Sequence, residues 1–230
     1  MDPADPSDLS DLSDPAGPER GAGSAAMPQP DFADLAALNA ALAAAEPGVT
    51  VSRRAVPGEG PVGAAIAFVG EQPGDQEDLA GRPFVGPAGR LLDRALREAR
   101  IPRDKVYVTN AVKHFKFEPR GKRRIHRKPT AGEVAHYRWW LNRELDLVQP
   151  ALVVALGATA VLALAGRAMP VTRARGPANF DGRPGYITVH PSYLLRIPDP
   201  AAREQAYGAF VADLKQIRSL SRRASVKAAT

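Results

Sequence analysis

A chain of 230 residues, 44% of them hydrophobic, is long enough for one sizeable domain with tails. No apolar run reaches the roughly eighteen residues that a membrane helix needs, and the N-terminus lacks the basic and apolar regions of a secretion signal. With no cysteine, the chain cannot form a disulfide, a thiolate nucleophile or a cysteine-ligated cluster. We therefore expect a cytoplasmic protein without membrane contacts.

Charge is unevenly distributed along the chain. The formal net charge is +6, but residues 1–20 hold six acidic residues and one basic residue, so the remainder carries +11. From Lys113 to Lys128 there are eight lysines or arginines and one acidic residue, Glu118. Such a concentration is typical of a protein with a polyanionic partner, although a charge run is as often a solvated, solubilising face.

The two ends of the chain differ from its centre. Residues 1–30 are rich in Pro, Asp, Ser and Gly, so we expect an acidic, disordered tail there. The spacing of apolar residues predicts a first helix directly afterwards, with Asp31 as its N-cap. Residues 219–230 are predicted to be a basic, frayed tail. A single domain is therefore expected over 31–218.

Strands and helices alternate within this domain. Short apolar or β-branched runs predict four strands, at 64–70, 105–112, 151–157 and 185–192. Amphipathic runs predict helices at 88–100, at 131–148 with Thr130 as its cap, and from Pro200 onwards, and a short Ala/Leu helix follows the third strand. The alternation predicts a mainly parallel sheet covered by helices on both faces.

Unusual polar residues follow the predicted strands, where open α/β sheets bind their ligands. Glu71 comes directly after the first strand, in a Gly/Pro-rich segment that matches neither the P-loop nor the dinucleotide fingerprint. Asn110 ends the second strand, and its amide can read the edge of a base such as uracil. His190 ends the fourth strand, and Ser192 after it offers a hydroxyl and an N–H to a phosphate.

Each of these residues also has a structural explanation. Asn110 alone is better explained as a turn residue, and a single His190 is more often structural than catalytic. Phe84, in the Gly/Pro-rich segment, is more often a core residue than a stacking platform for a base. A functional site is favoured because Glu71, Asn110 and His190 leave the same edge of the sheet as the basic segment 121–130, which is predicted to be a loop.

Four segments, in order, resemble motifs of the uracil-DNA glycosylase superfamily, and in particular of its UdgX-type branch. They are GEQPGDQEDLAGRPFVGPAGRLLDRAL, VYVTNAVKHFKF, KRRIH and HPSYLLR. The resemblance covers residues 55–218. It implies a three-layer α/β/α sandwich around a four-stranded, mainly parallel sheet, with a flipped uracil held beyond the strand ends.

The resemblance also implies roles for the residues that would hold the base. Phe84 would stack on uracil and Asn110 would bond its Watson–Crick edge, while Gln72, the third uracil-binding residue, would help to order the site. His190 would stabilise uracil O2 as negative charge develops on the leaving base. Stabilising this leaving group is most of the catalytic task, because base loss passes through an oxocarbenium-like sugar.

The histidine of KRRIH, His126, has a separate implied role. In UdgX-type enzymes it captures C1′ once the glycosidic bond is broken, which leaves the protein covalently attached to the abasic site. Glu71 would orient or deprotonate His126, since a carboxylate partner favours the attacking tautomer. Five residues are expected to contact DNA, namely Lys122, Arg123, Arg124, Ser192 and Arg196.

One departure from the family is large. UdgX-type and family 4 enzymes carry a [4Fe-4S] cluster held mainly by cysteines, and in this sequence Tyr137 stands at one cysteine position. We therefore expect no cluster, and packing by Tyr137, Trp139 and Trp140 in its place. The four histidines have no standard metal-site spacing, so no metal cofactor is expected.

The sequence is thus interpreted as a uracil-DNA glycosylase that forms a covalent complex. The expected partner is uracil-containing DNA, preferably single-stranded, bound by a monomer of a bacterial-type cytoplasmic, nucleoid-associated protein. A conventional turnover glycosylase and a non-catalytic uracil-DNA binding module remain open. An unrelated α/β phosphate binder would leave the four ordered motifs unexplained.

Overall fold

The structure, a computed structural model, describes residues 30–47 and 52–228. Its helices are α1 Leu35–Ala44, α2 Asp75–Ala80, α3 Pro87–Glu98, α4 Ala131–Val148, α5 Ala158–Ala165, α6 Val171–Ala174, α7 Pro191–Leu195 and α8 Pro200–Ala228. Its strands are β1 Ile66–Gly70, β2 Val106–Asn110, β3 Phe117–Arg120, β4 Arg123–His126, β5 Leu152–Leu156, β6 Gly176–Phe180 and β7 Arg183–Thr188. Residues Arg103–Lys105 form one turn of 3-10 helix.

A five-stranded sheet with the order β2-β1-β5-β7-β6 forms the centre of the fold. The four predicted strands are present and parallel to one another, as expected. The fifth strand, β6, runs antiparallel to β7 at the edge of the sheet, and the sequence did not predict it. Its sequence, GPANF, contains Gly, Pro and Asn, which are depleted in strands, and its Pro177 is tolerated because β6 is an edge strand.

Helices cover both faces of the sheet, which confirms the three-layer α/β/α arrangement. On one face, strand residues such as Val69 and Val153 pack with α4 and α5. On the other face, strand residues such as Phe68 and Val154 pack with α3 and α8. Successive residues of each strand alternate between the two layers, so strands β1, β2 and β5 are buried along their whole length.

The observed helices agree with the prediction at the start of α4 and differ from it elsewhere. α4 begins after Thr130, as predicted, with a capping box between Thr130 and Glu133. α1 is capped by Asp34 rather than by Asp31, because the Asp34 side chain accepts the N–H of Ala37. Helix α2 lies in the Gly/Pro-rich segment after β1, where no helix was predicted, and α7 begins at Pro191, inside the predicted fourth strand, because β7 already ends at Thr188.

The chain termini are only partly described. α8 continues to Ala228, so residues 219–228 form its last turns instead of the predicted frayed tail. The tail expected at 1–30 lies outside the described residues apart from Pro30. From Phe32 onwards the described residues form one unit. Within the described ranges, no helix combines the length and apolar character needed to cross a membrane.

The basic segment, predicted to be a loop, contains one arm of a β-hairpin. Strands β3 and β4 pair antiparallel, with Phe117 opposite His126 and Arg120 opposite Arg123. Gly121 is the first of the two turn residues and has a φ of 59°, which two-residue hairpin turns favour at this position. The hairpin was missed because neither four-residue arm alternates apolar and polar residues clearly.

Candidate active site

One cavity of about 1130 Å³ opens beyond the carboxyl ends of the parallel strands. This is the position that the strand order predicts for a ligand site. Eight of the eleven site residues predicted from the sequence line it, namely Glu71, Gln72, Phe84, Asn110, His126, His190, Ser192 and Arg196. The other three, Lys122, Arg123 and Arg124, do not line the cavity and belong to the hairpin or its turn.

The side chains of Asn110 and Phe84 both approach the backbone of Gly70, which has no side chain of its own. Gly70 pairs with Asn110 in the β1–β2 register, and a Cβ at Gly70 would collide with Oδ1 of Asn110 and lie 2.6 Å from Cζ of Phe84. Asn110 is buried, yet none of the described residues hydrogen-bonds its side-chain amide. The amide is therefore available to a ligand in the cavity.

Phe84 is held in a backbone conformation that few side chains adopt. Its φ is 57°, in the left-handed region, where a residue other than glycine is strained. The loop around it is clamped by Glu77, whose carboxylate accepts the N–H of Gly74 at 3.1 Å and of Gly86 at 2.8 Å. Phe84 packs in the core and also lines the cavity, with its ring centroid 6.2 Å from that of His190.

His190 presents a neutral N–H donor. It caps α7, and its Nδ1 accepts the N–H of Ser192 at 3.1 Å, so in the neutral ring the proton lies on Nε2. Burial lowers the pKa of His190 to about 4, against the opposing attraction of Glu71. The Ser192 hydroxyl also lies 2.8 Å from Nδ1, so both groups of Ser192 that were expected to meet a phosphate are engaged with the His190 ring.

Glu71 connects His126 to helix α5. Its Oε1 lies 3.3 Å from Nε2 of His126, and its Oε2 accepts the hydroxyl proton of Thr159 at 2.6 Å. Burial lowers the pKa of His126 below its ordinary value, although the Glu71 carboxylate acts in the opposite direction. His126 is therefore mainly neutral at pH 7. The sequence did not reveal Thr159, although its position just after β5, in LGAT, was a signal for it.

Gln72 fastens both ends of the hairpin at once. Its Nε2 donates to the carbonyl of Lys116 at 3.2 Å and to that of Arg127 at 3.0 Å, and its Oε1 accepts the N–H of Lys116 at 3.2 Å. Lys116 precedes β3 and Arg127 follows β4. The Gln72 amide thus orders the hairpin, in line with the expectation that this residue helps to order the site, while its grouping with the uracil-binding residues stays a prediction.

Arg124 anchors the hairpin to α2. Its guanidinium forms ion pairs with Asp75 and Asp78 and lies over the rings of Phe115 and Phe117, at 5.4 and 5.1 Å from their centroids. The sequence predicted that Arg124 holds a phosphate, but these contacts already occupy its charge. Arg124 makes these contacts because side chains alternate along a strand. Arg124 and His126 therefore share the face of β4 that packs on the domain.

Lys122 and Arg123 are exposed at the turn and on the outer side of β4. Neither forms an ion pair with any residue that the structure describes. Arg196 is exposed as well, and it donates to the Ser192 hydroxyl at 3.2 Å. These three cations are free to meet a polyanion.

The residues around Tyr137 do not fit a thiolate-held cluster, since the chain contains no cysteine. Tyr137 is buried, and its hydroxyl lies 2.6 Å from Nδ1 of His114. The rings of Trp139 and Trp140 contact each other, and both contact Phe32. Among the described residues, no group of three or more His, Cys, Asp or Glu side chains is placed to hold a metal ion.

The chain is similar in sequence to proteins of known type. The chain is 44% identical over 144 residues to a type-4 uracil-DNA glycosylase of Thermotoga maritima, covering 61% of this chain and 71% of that protein. It is 37% identical over 156 residues to a type-4 uracil-DNA glycosylase of Pyrobaculum aerophilum, covering 64% and 76%. Because the family model "Uracil DNA glycosylase superfamily" matches residues 57–215, most of the chain and every residue of the cavity discussed above, this protein belongs to that superfamily.

Proposed function

We propose that this protein is a DNA-repair glycosylase that releases uracil from DNA and then captures the abasic sugar through His126. The observation that carries the proposal is the close placement of the Glu71–His126 pair and the neutral His190 donor in one cavity. The relatives named above support the uracil-DNA glycosylase activity. The UdgX-type capture step rests on the resemblance of KRRIH and on the contact between Glu71 and His126.

Uracil release needs a donor for the leaving base. The edge of uracil offers the O4 acceptor and the N3–H donor, which match the two ends of the Asn110 amide. As the bond between N1 and C1′ breaks, its electron pair leaves with uracil, and the Nε2–H of His190 can donate to O2, where charge accumulates. A neutral donor stabilises this charge without losing its proton.

Capture of the sugar uses the neutral form of His126. The ring nitrogen without a proton gives its lone pair to C1′, which forms a C–N bond to the cationic sugar. The proton on the other ring nitrogen can pass to Glu71, which leaves a neutral, alkylated imidazole. The lowered pKa of His126 supports this role because it keeps the attacking lone pair free at neutral pH.

The test is mass spectrometry of the protein after incubation with a single-stranded oligonucleotide that contains one uracil. We expect a covalent adduct of the protein with the abasic oligonucleotide, and none with a thymine oligonucleotide. His126→Ala removes the adduct and leaves uracil release measurable. His136→Ala is the matched control, because His136 is exposed on α4 and does not line the cavity.

Two results would replace this proposal. Release of uracil with full turnover and no adduct indicates a conventional glycosylase, an outcome that the 47% exposure of the His126 side chain favours, since water can reach the same space. Retained affinity for the uracil oligonucleotide without any base release indicates a binding module.

We further propose that the reaction needs no iron–sulfur cluster and that the protein acts as a monomer, preferring single-stranded DNA, in the cytoplasm and on the nucleoid. The buried contact of Tyr137 with His114 supports the first point, because polar and aromatic packing occupies the place of one family cysteine. Purified protein free of iron is therefore expected to retain full activity. Activity that depends on added iron and sulfide would contradict this.

A further inference from the structure

A fully buried ion pair lies directly behind the cavity. The side chains of Lys113 and Glu144 are 1% and 2% exposed, and Nζ of Lys113 lies 2.6 Å from Oε2 of Glu144. Removing two charges from water costs free energy that their mutual attraction often fails to recover. The chemistry proposed above uses neither residue, so the pair has another role.

The three protons of the Lys113 ammonium each have an acceptor. They are donated to Oε2 of Glu144 at 2.6 Å, to Oγ1 of Thr109 at 2.6 Å and to the backbone carbonyl of Asn110 at 2.9 Å. Because an ammonium has three donors, this set is complete. One of the three therefore holds the backbone of the residue whose side-chain amide faces the cavity.

Glu144 fixes this ammonium from helix α4. Its Oε1 accepts the N–H of Gly58 at 2.9 Å and the hydroxyl of Tyr107 at 2.8 Å, and its Oε2 accepts the hydroxyl of Thr109 at 2.8 Å. Glu144 thus joins α4 to strand β2 at the end that carries Asn110. No polar atom of this arrangement lacks a partner, so it is rigid.

We propose that Lys113 is a positioning residue that fixes Asn110 for reading the edge of uracil. The inference rests on the proposed function. Asn110 is the last residue of β2, and the chain turns there, with the N–H groups of Ala111 and Val112 donating to the carbonyls of Gly70 and Glu71. Since no described side chain hydrogen-bonds the Asn110 amide, its placement depends strongly on its backbone, which Lys113 holds.

A second buried bridge joins the same two parts of the chain and serves as a control. His114, next to Lys113, contacts Tyr137 on α4, and both residues are 1% exposed. Neither lines the cavity or contacts Asn110. Loss of this bridge perturbs the attachment of the same segment to the same helix without touching the carbonyl of Asn110.

The test uses a double variant, Lys113→Met with Glu144→Gln. Lys113→Met alone leaves a buried carboxylate without its cation and is expected to lower Tm strongly. The glutamine removes that charge while its oxygen still accepts from Gly58 and Tyr107, so the double variant recovers most of the Tm.

We expect the double variant to release uracil about 10–100-fold more slowly in single turnover, because a misplacement of about 1 Å has effects of this size. Its affinity for the oligonucleotide is expected to stay within about twofold, since phosphate contacts dominate affinity.

Tyr137→Phe is expected to lower Tm while uracil release stays within about twofold of the wild type. A wild-type release rate in the double variant overturns the inference, as does an equal slowing by Tyr137→Phe. Asn110→Leu distinguishes the proposed role of Asn110 from the positioning of Asn110 by Lys113. If Asn110→Leu releases uracil at the wild-type rate, the role of Asn110 itself is wrong; if it is slow while the double variant is fast, only the positioning by Lys113 is wrong.

Discussion

Glu71 gives its two carboxylate oxygens to different partners. Oε2 accepts the Thr159 hydroxyl at 2.6 Å, and Oε1 faces His126 at 3.3 Å. The hydrogen bond from Thr159 holds the Glu71 carboxylate in one orientation. In this orientation Oε1 already faces His126, so no change of side-chain rotamer is needed for that contact. At the scale of single residues, the placement of Glu71 beside His126 therefore depends on Thr159, which does not itself contact His126.

Thr159→Val is expected to slow the covalent capture about tenfold, because a hydrogen bond to a charged group contributes about 1.5–3 kcal/mol. Valine has nearly the same shape, so the fold is expected to remain intact. Uracil release, for which we propose His190 and Asn110, is expected to change little. The rate of appearance of a denaturation-resistant protein–DNA band measures the capture. Thr159→Ser restores the hydroxyl and should restore the rate; a serine variant as slow as the valine variant would rule out the hydrogen bond as the cause.

At the scale of elements, the two faces of the hairpin β3–β4 have different surroundings. The inner face packs on the domain through Arg124 and presents His126 to Glu71. The turn and outer face expose Lys122 and Arg123 to solvent. Adjacent arginines of the same short motif therefore differ, since Arg124 anchors the hairpin to α2 while Arg123 is exposed, as the proposed contact with DNA requires.

Arg123→Met is expected to change the salt dependence of DNA affinity, whereas Arg124→Met is expected to change the rate of capture. Loss of Arg123 removes a phosphate contact, so the slope of log affinity against log salt should become shallower by about 0.7 for single-stranded DNA. Loss of Arg124 frees the hairpin from Asp75 and Asp78, so capture should slow while the salt slope stays unchanged. Binding titrations at several salt concentrations, together with capture rates, measure both effects. A shallower slope in Arg124→Met would show that Arg124 reaches the DNA after all.

At the scale of the whole molecule, the parallel strands bring three distant segments to one edge of the sheet. Glu71 follows β1, Asn110 ends β2 and His190 lies two residues beyond β7. The layer of helices on the face of α4 adds buried polar bridges behind this edge, including that of His114 with Tyr137. Because His114 is buried and titratable, the free energy of unfolding is expected to depend on pH.

Burial lowers the pKa of His114 to about 4, partly opposed by the charge of Asp78. The unfolded chain takes up a proton near pH 6.5, while the folded chain stays neutral at this residue until about pH 4. His114 therefore contributes stability that is present above pH 6.5 and is lost as the pH falls below it, by at most about 1.4 kcal/mol per pH unit. Urea unfolding between pH 7 and 5 measures the slope. His114→Phe should flatten it; an unchanged slope in His114→Phe would contradict the assignment.

Sequence reasoning reached the fold and the cavity because both depend on local patterns. The four apolar runs predicted the parallel strands, and the strand ends predicted where Glu71, Asn110 and His190 meet. It missed β6, the hairpin and Thr159, because their places depend on pairing or contact between distant segments. It also did not foresee the ion pairs of Arg124 with Asp75 and Asp78, which charge alone does not reveal; the contact of Arg124 with DNA stays a prediction.

The Gln72 amide has a consequence for how this protein can be altered. One side chain grips both strands of the hairpin at their base, while at the turn Gly121 has open space around the position of a Cβ. Length added at the turn would therefore extend the reach of the hairpin along a nucleic acid without moving His126. The turn can therefore be changed, in evolution or by engineering, while His126 keeps its place beside Glu71.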